Sequence, residues 1–156
     1  MKRLYFGFWF CLAILFPGVF LGCASSDSAH SIAKTDTSPH DFVVQVNQEF
    51  FVVRLVDPQL ISKAWGRIAG SVPQGIVSGK LADTDGGFNR DPNSQKAWTW
   101  HLIPETVSFP QLSMEVCDGR PSDVEGNKQH WLNDVRMYCP WQAKIIREIT
   151  TNSGKK

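Results

Sequence analysis

The chain has 156 residues, 42% of them hydrophobic and 20% charged, with 16 Lys and Arg against 15 Asp and Glu. The two signs are interspersed, with no basic stripe and no acidic run, so a nucleic-acid partner is excluded. Once polar ends are set aside the length suits one small domain and is too short for two.

The chain opens with positive Met1-Lys2-Arg3, followed by thirteen uncharged apolar residues from Leu4 to Phe16. That is the layout of a secretory signal. Pro17-Gly18 ends the run, and Val19-Phe20-Leu21-Gly22-Cys23 follows. This pattern resembles a bacterial lipobox, with slim Gly22 at the cut and Phe20 where Leu is usual. Two other readings stay open: a plainly cleaved signal, or an uncleaved helix over the nineteen residues from Leu4 to Gly22. All three export the remainder, because the positive end stays inside. The expected anchor is a lipid on Cys23, so the membrane is the first expected partner. Ala24 rather than Asp after that cysteine suggests the outer membrane of a cell envelope, by resemblance to known lipoproteins. Ala24 to His40 has Ile32 as its lone large apolar residue and reads as a flexible spacer. The organisation is then 1–22 signal, 23–40 lipidated cysteine and spacer, 41–150 domain and 151–156 frayed tail. Loss of 1–22 removes two basic residues and leaves 14 basic against 15 acidic.

Within the domain, Asp41 to Val46 and Glu49 to Val56 are rich in Val and Phe around Asn47-Gln48, which predicts a β-hairpin. The second strand is apolar on both faces except at Arg54, which predicts a central, doubly covered position. Asp57 caps a helix over 58–69, with Pro58 at its first position and Gly70 beyond its end. Leu60, Ile61, Ala64, Trp65 and Ile68 share one face of it, which places Trp65 in the core. Gly66 weakens its interior. Gly75 to Leu81 reads as a strand, and Asp83 to Ser94 as a turn-rich loop. Ala97 to Ile103 is a strand, with Trp98, Trp100 and Leu102 on one face and Thr99 and His101 on the other. Val107 to Cys117 is expected as a strand interrupted at Pro110, with Leu112, Met114 and Val116 alternating against Ser113 and Glu115. Short helical turns are expected near Asp123-Val124-Glu125 and Trp131-Leu132, and a closing strand over Ala143 to Ile149. The sum is an α+β domain, a mostly antiparallel sheet with one main helix against it.

With Cys11 in the signal and Cys23 lipidated, the domain keeps Cys117 and Cys139. In an oxidising compartment such a pair forms a disulfide. A metal site is the rival reading, but the spacing lacks the paired cysteines or Cys/His sets of zinc sites.

Phe51-x-Val53-x-Leu55-x-Asp57-Pro58, Trp98-x-Trp100-x-Leu102-x-Pro104, Glu115-Val116-Cys117-Asp118-Gly119 and Cys139-Pro140-Trp141 together resemble a poorly characterised family of small secreted domains. The resemblance spans roughly 42–149. It implies a single fold and a Cys117–Cys139 bridge, and it brings no catalytic residues with it.

Candidate chemistry is sparse. A nucleophilic triad needs Ser or Cys beside an oriented His, and no Gly-x-Ser-x-Gly occurs. His30 and His40 fall in the spacer, leaving His101 and His130. Glu115 is the best carboxylate for acid–base work, if its strand is buried; otherwise it pairs with Arg54 or Arg147, or faces solvent. Asp83, Asp85, Asn89 and Asp91 suggest calcium, yet EF-hand counting from Asp83 puts Phe88 and Ser94 where Gly and Glu belong. Asp118, Asp123 and Glu125 form a second weak cluster. No cofactor is implied. The informative surplus is tryptophan, which serves either a small core or a binding face. Three or four of Trp65, Trp98, Trp100, Trp131 and Trp141 are expected inside, and Trp98, Trp100, Trp131 and Trp141 are the candidate ligand contacts. The leading reading is a lipid-anchored envelope binding module for a protein, peptide or glycan. The alternative is a small envelope hydrolase using Glu115, His101 or Asp118.

Overall fold

A computed structural model describes residues 38–150. The expected signal, Cys23, all but the end of the spacer, and the tail at 151–156 lie outside the described residues.

Strands β1 (His40–Val46) and β2 (Glu49–Leu55) form the expected hairpin, with His40 opposite Leu55 and Val46 opposite Glu49. Asn47 turns the chain at φ 56°, a left-handed conformation that Asn tolerates better than most residues. Strand β6 (Ala143–Ile149) pairs antiparallel with the other side of β1, giving the order β2-β1-β6. The pairing skips Ile146, an exposed bulge residue between Ile145 opposite Val44 and Arg147 opposite Val43. β2 is thus an edge strand, not the expected central one. Its residues 51–53 are nevertheless fully buried. The Val52 N–H donates to Asn89 Oδ1 of the turn-rich loop, which covers the open edge.

Helix α1 (Pro58–Ile68) has the expected caps. The Gln59 N–H donates to Asp57 Oδ1 at 2.7 Å, and Gly70 follows with φ +76°. Gly66 is there for space: a Cβ on it would stand 2.6 Å from Val72 Cγ2, where the chain doubles back. The N–H groups of Ser71 and Val72 donate to the Gly66 carbonyl. The buried face differs from the expected one, since Ile61, Ala64 and Arg67 are buried while Trp65 and Ile68 are exposed.

A second antiparallel sheet carries β3 (Gly79–Asp83), β4 (Trp100–Leu102) and β5 (Met137–Tyr138) in the order β4-β3-β5. The fold is α+β, with two small sheets in place of one. Helix α2 (Pro121–Gly126) and the short α3 (Lys128–His130) precede a wide helical turn, Trp131–Val135, closed by Arg136 at φ 64°. Among the described residues no helix is long and apolar enough to cross a membrane.

Two expected strands are corrected. The strand predicted over 75–81 starts at Gly79, where ladder partners begin; before it Ile76 packs on the disulfide and Val77 in the main core. The one predicted over 107–117 is absent. Ser108 bridges Ser78, the chain then runs irregularly, and Glu115–Cys117 is a 3₁₀ turn. Leu112, Met114 and Val116 all point to solvent, with Leu112 88% exposed. Polar alternation alone gave a strand there, but no neighbouring strand offers the partner that a strand requires.

The core links both sheets. Phe42, Val44 and Val46 of β1 and Phe51, Val53 and Leu55 of β2 form one buried face with Ile61, Trp98, Trp100, Leu102 and Tyr138. Trp100 and Tyr138 are fully buried, with ring centroids 5.4 Å apart, and Phe51 and Trp131 pack edge-on or tilted around them. Each such ring contributes about 1.5–3 kcal/mol by burial, with about 0.5–1.5 kcal/mol more per aromatic pair. The Tyr138 hydroxyl donates to the Gly119 carbonyl at 3.0 Å, and burial pushes its pKa well above the usual phenol value.

Candidate functional site: the Trp141 groove

The Cys117–Cys139 disulfide is present, with Cα atoms 5.2 Å apart. The Cys139 N–H donates to the Cys117 carbonyl at 2.8 Å. One residue further on, Asp118 Oδ1 accepts from the backbone N–H of Gly119 at 3.0 Å and of Trp141 at 2.9 Å. Glu115-Val116-Cys117-Asp118-Gly119 and Cys139-Pro140-Trp141 are therefore one structural unit, clamped three ways. Its product is a tryptophan whose backbone N–H is held by Asp118 and whose surface is left 44% exposed.

Trp141 stands between two concavities. One, of about 650 Å³, lies among the segment after α1 (Val72 to Ile76), Phe109 to Ser113, and Lys63 and Arg67 of α1. The other, of about 450 Å³, is amide-rich and bounded by Gln45, Asn47, Gln142 and Lys144. Gln74 borders both. Its amide donates to the Arg67 and Ile145 carbonyls, while its oxygen accepts from the Ile145 N–H. That braces α1 against β6 beneath the junction. No Asp or Glu borders either concavity.

The other sequence-derived candidates divide by environment. Trp98, Trp100 and Trp131 are buried and pack in the main core. The Trp98 indole N–H donates to the Phe50 carbonyl. Trp65, expected inside, is 43% exposed and donates its indole N–H to Glu148 Oε2. Glu115, expected on a half-buried strand, is exposed on the 3₁₀ turn. His101 Nδ1 meets the Thr84 carbonyl at 2.9 Å, with its ring edge-on to Phe88. Asp118 serves the Trp141 clamp. No hydrogen bond or ion pair joins any two of Glu115, His101 and Asp118 among the described residues. Arg54, one suggested partner for Glu115, instead forks onto Asp41 at 2.7 and 2.8 Å, and that hydrogen bond raises its pKa.

The acidic loop is a set of turns. Asp85 Oδ1 accepts from the Gly87 N–H, Asp91 from the Asn93 N–H and Ser94 Oγ, and Asp83 from the Thr84 N–H and Lys128. The Lys128 hydrogen bond, helped by Thr84, holds the Asp83 carboxyl below its usual range. Asn89 is fully buried, donating to the Trp100 carbonyl at 2.7 Å. In the second cluster, Asp123 pairs with Arg120 and Glu125 accepts from Thr99. Among the described residues no three His, Cys, Asp or Glu side chains are grouped to hold a metal ion.

Sequence reasoning missed Arg67 and the cluster at His40. His40 opens β1, and its Nδ1 meets Glu148 Oε1, the carboxylate that also holds Trp65. The available signal for Arg67 was its position one turn after Lys63 on α1, ahead of a glycine-permitted reversal. The apolar count along the helix passed over it.

With this geometry in place, the family model described as the BP-74 N-terminal domain matches residues 38–152, and the chain belongs to that family. No curated protein and no solved structure matches the chain.

Proposed function

We propose that this family member is an exported, lipid-anchored cell-envelope module that binds a ligand against Trp141 and cleaves no bond itself. The observation that carries the binding reading is a backbone-clamped, half-exposed indole at the junction of two concavities. A large stiff aromatic held in place loses little entropy on binding, which is why such residues anchor interfaces. Glu115 stands exposed, and His101 and Asp118 are engaged with separate partners rather than converging on a cleft. The anchor rests on the signal-like N-terminus and Cys23, and the disulfide suits an oxidising compartment.

Two measurements test this. Labelled palmitate should enter the wild-type protein and not Cys23→Ser; equal labelling overturns the anchor. Peptide and glycan arrays probed with the full chain should show binding that Trp141→Ala weakens more than tenfold. Binding indifferent to Trp141 overturns the Trp141 assignment, and substrate turnover abolished by Glu115→Gln at unchanged stability overturns the non-catalytic reading.

A further inference from the structure

Arg67 does not behave as a surface arginine. It is 8% exposed, and its guanidinium lies 4.2 Å over the Phe109 ring. One amino group donates to the Gly75 carbonyl at 3.2 Å, while Nε has no hydrogen-bond partner among the described residues. None of the ion pairs among the described residues includes it. Burial lowers its pKa with no carboxylate to oppose the shift. A buried cation with an unused donor and no counter-ion is costly to maintain in a structural role. Here it borders the larger concavity together with Lys63, and Lys144 borders the adjoining one.

We infer that the Trp141 groove takes an extended peptide presenting an Asp or Glu carboxylate beside apolar side chains, the carboxylate meeting Arg67 and Lys63. This deepens the binding reading above and rests on it. Charge complementarity selects the anion, because both concavities carry cations and neither has an acidic wall. Nε is closed off from solvent, so Arg67 acts on the groove through its charge: a guanidinium bordering the concavity without a counter-ion attracts a carboxylate in a low-dielectric setting. The aliphatic walls favour a peptide over a glycan, since Val72 and Leu112 leave a sugar's hydroxyls without hydrogen-bond partners, whereas aliphatic side chains fill them. The concave shape selects it over a bilayer, which needs a protruding surface.

The test uses the full chain on two octapeptide arrays, identical except that every apolar residue is followed by Glu in one and by Gln in the other, with a uronic-acid glycan array alongside. The Glu array should bind at least tenfold more tightly, with affinity falling as salt rises. Lys63→Gln, at an exposed position that folding does not require, should lower that preference about threefold, and Arg67→Gln should remove it. Equal binding to Glu and Gln peptides that still depends on Trp141 overturns the charge assignment and leaves the binding reading standing. Trp141-dependent binding to the glycan array alone overturns the peptide. Absence of Trp141-dependent binding on every array overturns both. Should Arg67→Gln fail to fold, Lys63→Gln decides: an unchanged Glu preference in that variant overturns the inference.

Discussion

Trp65 and Trp141 expose nearly the same share of their surface, 43% and 44%, yet they occupy different kinds of place. The Trp65 indole N–H is engaged by Glu148, and its ring stands edge-on to His40, with centroids 5.2 Å apart, and to Phe42. It seals one end of α1 against the first sheet. Trp141 is fixed through its backbone by Asp118, with a concavity on either side. Exposure is therefore a poor guide to function. What separates the two is whether the polar edge of the ring is already used within the protein and whether space stands beside it.

The sharpest break of the comparison is a third, buried tryptophan. Trp100→Ala should destabilise the domain by about 3–5 kcal/mol, read by chemical denaturation, because it empties a packed aromatic cluster. A loss below about 1 kcal/mol would contradict the core assignment. Next in size is the frame of Trp141. Replacing Cys117 and Cys139 together by Ser opens a loop with a sequence separation of 22, and should cost about 3 kcal/mol in the chain-entropy account. Loss of the clamp alone is smaller. Asp118→Ala should cost about 1 kcal/mol and loosen Trp141, whereas Asp118→Asn keeps the acceptor oxygen and should restore most of both. If Asn is as damaging as Ala, the charge rather than the hydrogen bond matters there.

The smallest effect lies at an ion pair that borders neither concavity. The Arg120 side chain, with its backbone N–H, holds the Asp123 carboxyl below its usual pKa at the start of α2. A depressed carboxyl contributes stability that is complete above the unfolded value, near 3.8, and is lost as pH falls through the lower folded value. For so exposed a pair the contribution is small and screened by solvent. Asp123→Asn should flatten that part of the acid stability curve, and an unaltered curve would remove the pair from the account.

The hairpin, the capped helix and the closing strand were legible in the sequence because each is written locally, in alternation, caps and turns. The burial of Trp98, Trp100 and Leu102 on one face followed from period two. What failed was partnership. The apolar alternation at Leu112, Met114 and Val116 gave a strand with nothing to pair to, and the disulfide and Pro110 hold that segment as an exposed loop. The position of β2 at the edge depended on where β6 returned to pair with β1, from Val46 opposite Ala143 to Asp41 opposite Ile149, at the far end of the domain in sequence. Of the site, Trp141 was among the named candidates, but the side chains around it come from α1, from the segment after Gly70 and from Phe109 to Ser113. No local pattern announces that convergence. Arg67 was hidden for a related reason: a charged residue on a helix reads as solvated until a ring such as Phe109 is seen to cover it.

The measurement that bears most directly on the central claim compares Trp65→Ala and Trp141→Ala side by side, with binding on the Glu-containing array and stability recorded for each. Both side chains are about equally exposed, so Trp65 is an internal control for loss of surface aromatic area. The account predicts that Trp65→Ala costs about 1–2 kcal/mol of stability through lost packing and leaves affinity within twofold. It predicts that Trp141→Ala leaves stability within about 1 kcal/mol and weakens binding more than tenfold. Equal loss of affinity in the two variants, or full binding by Trp141→Ala, would contradict it.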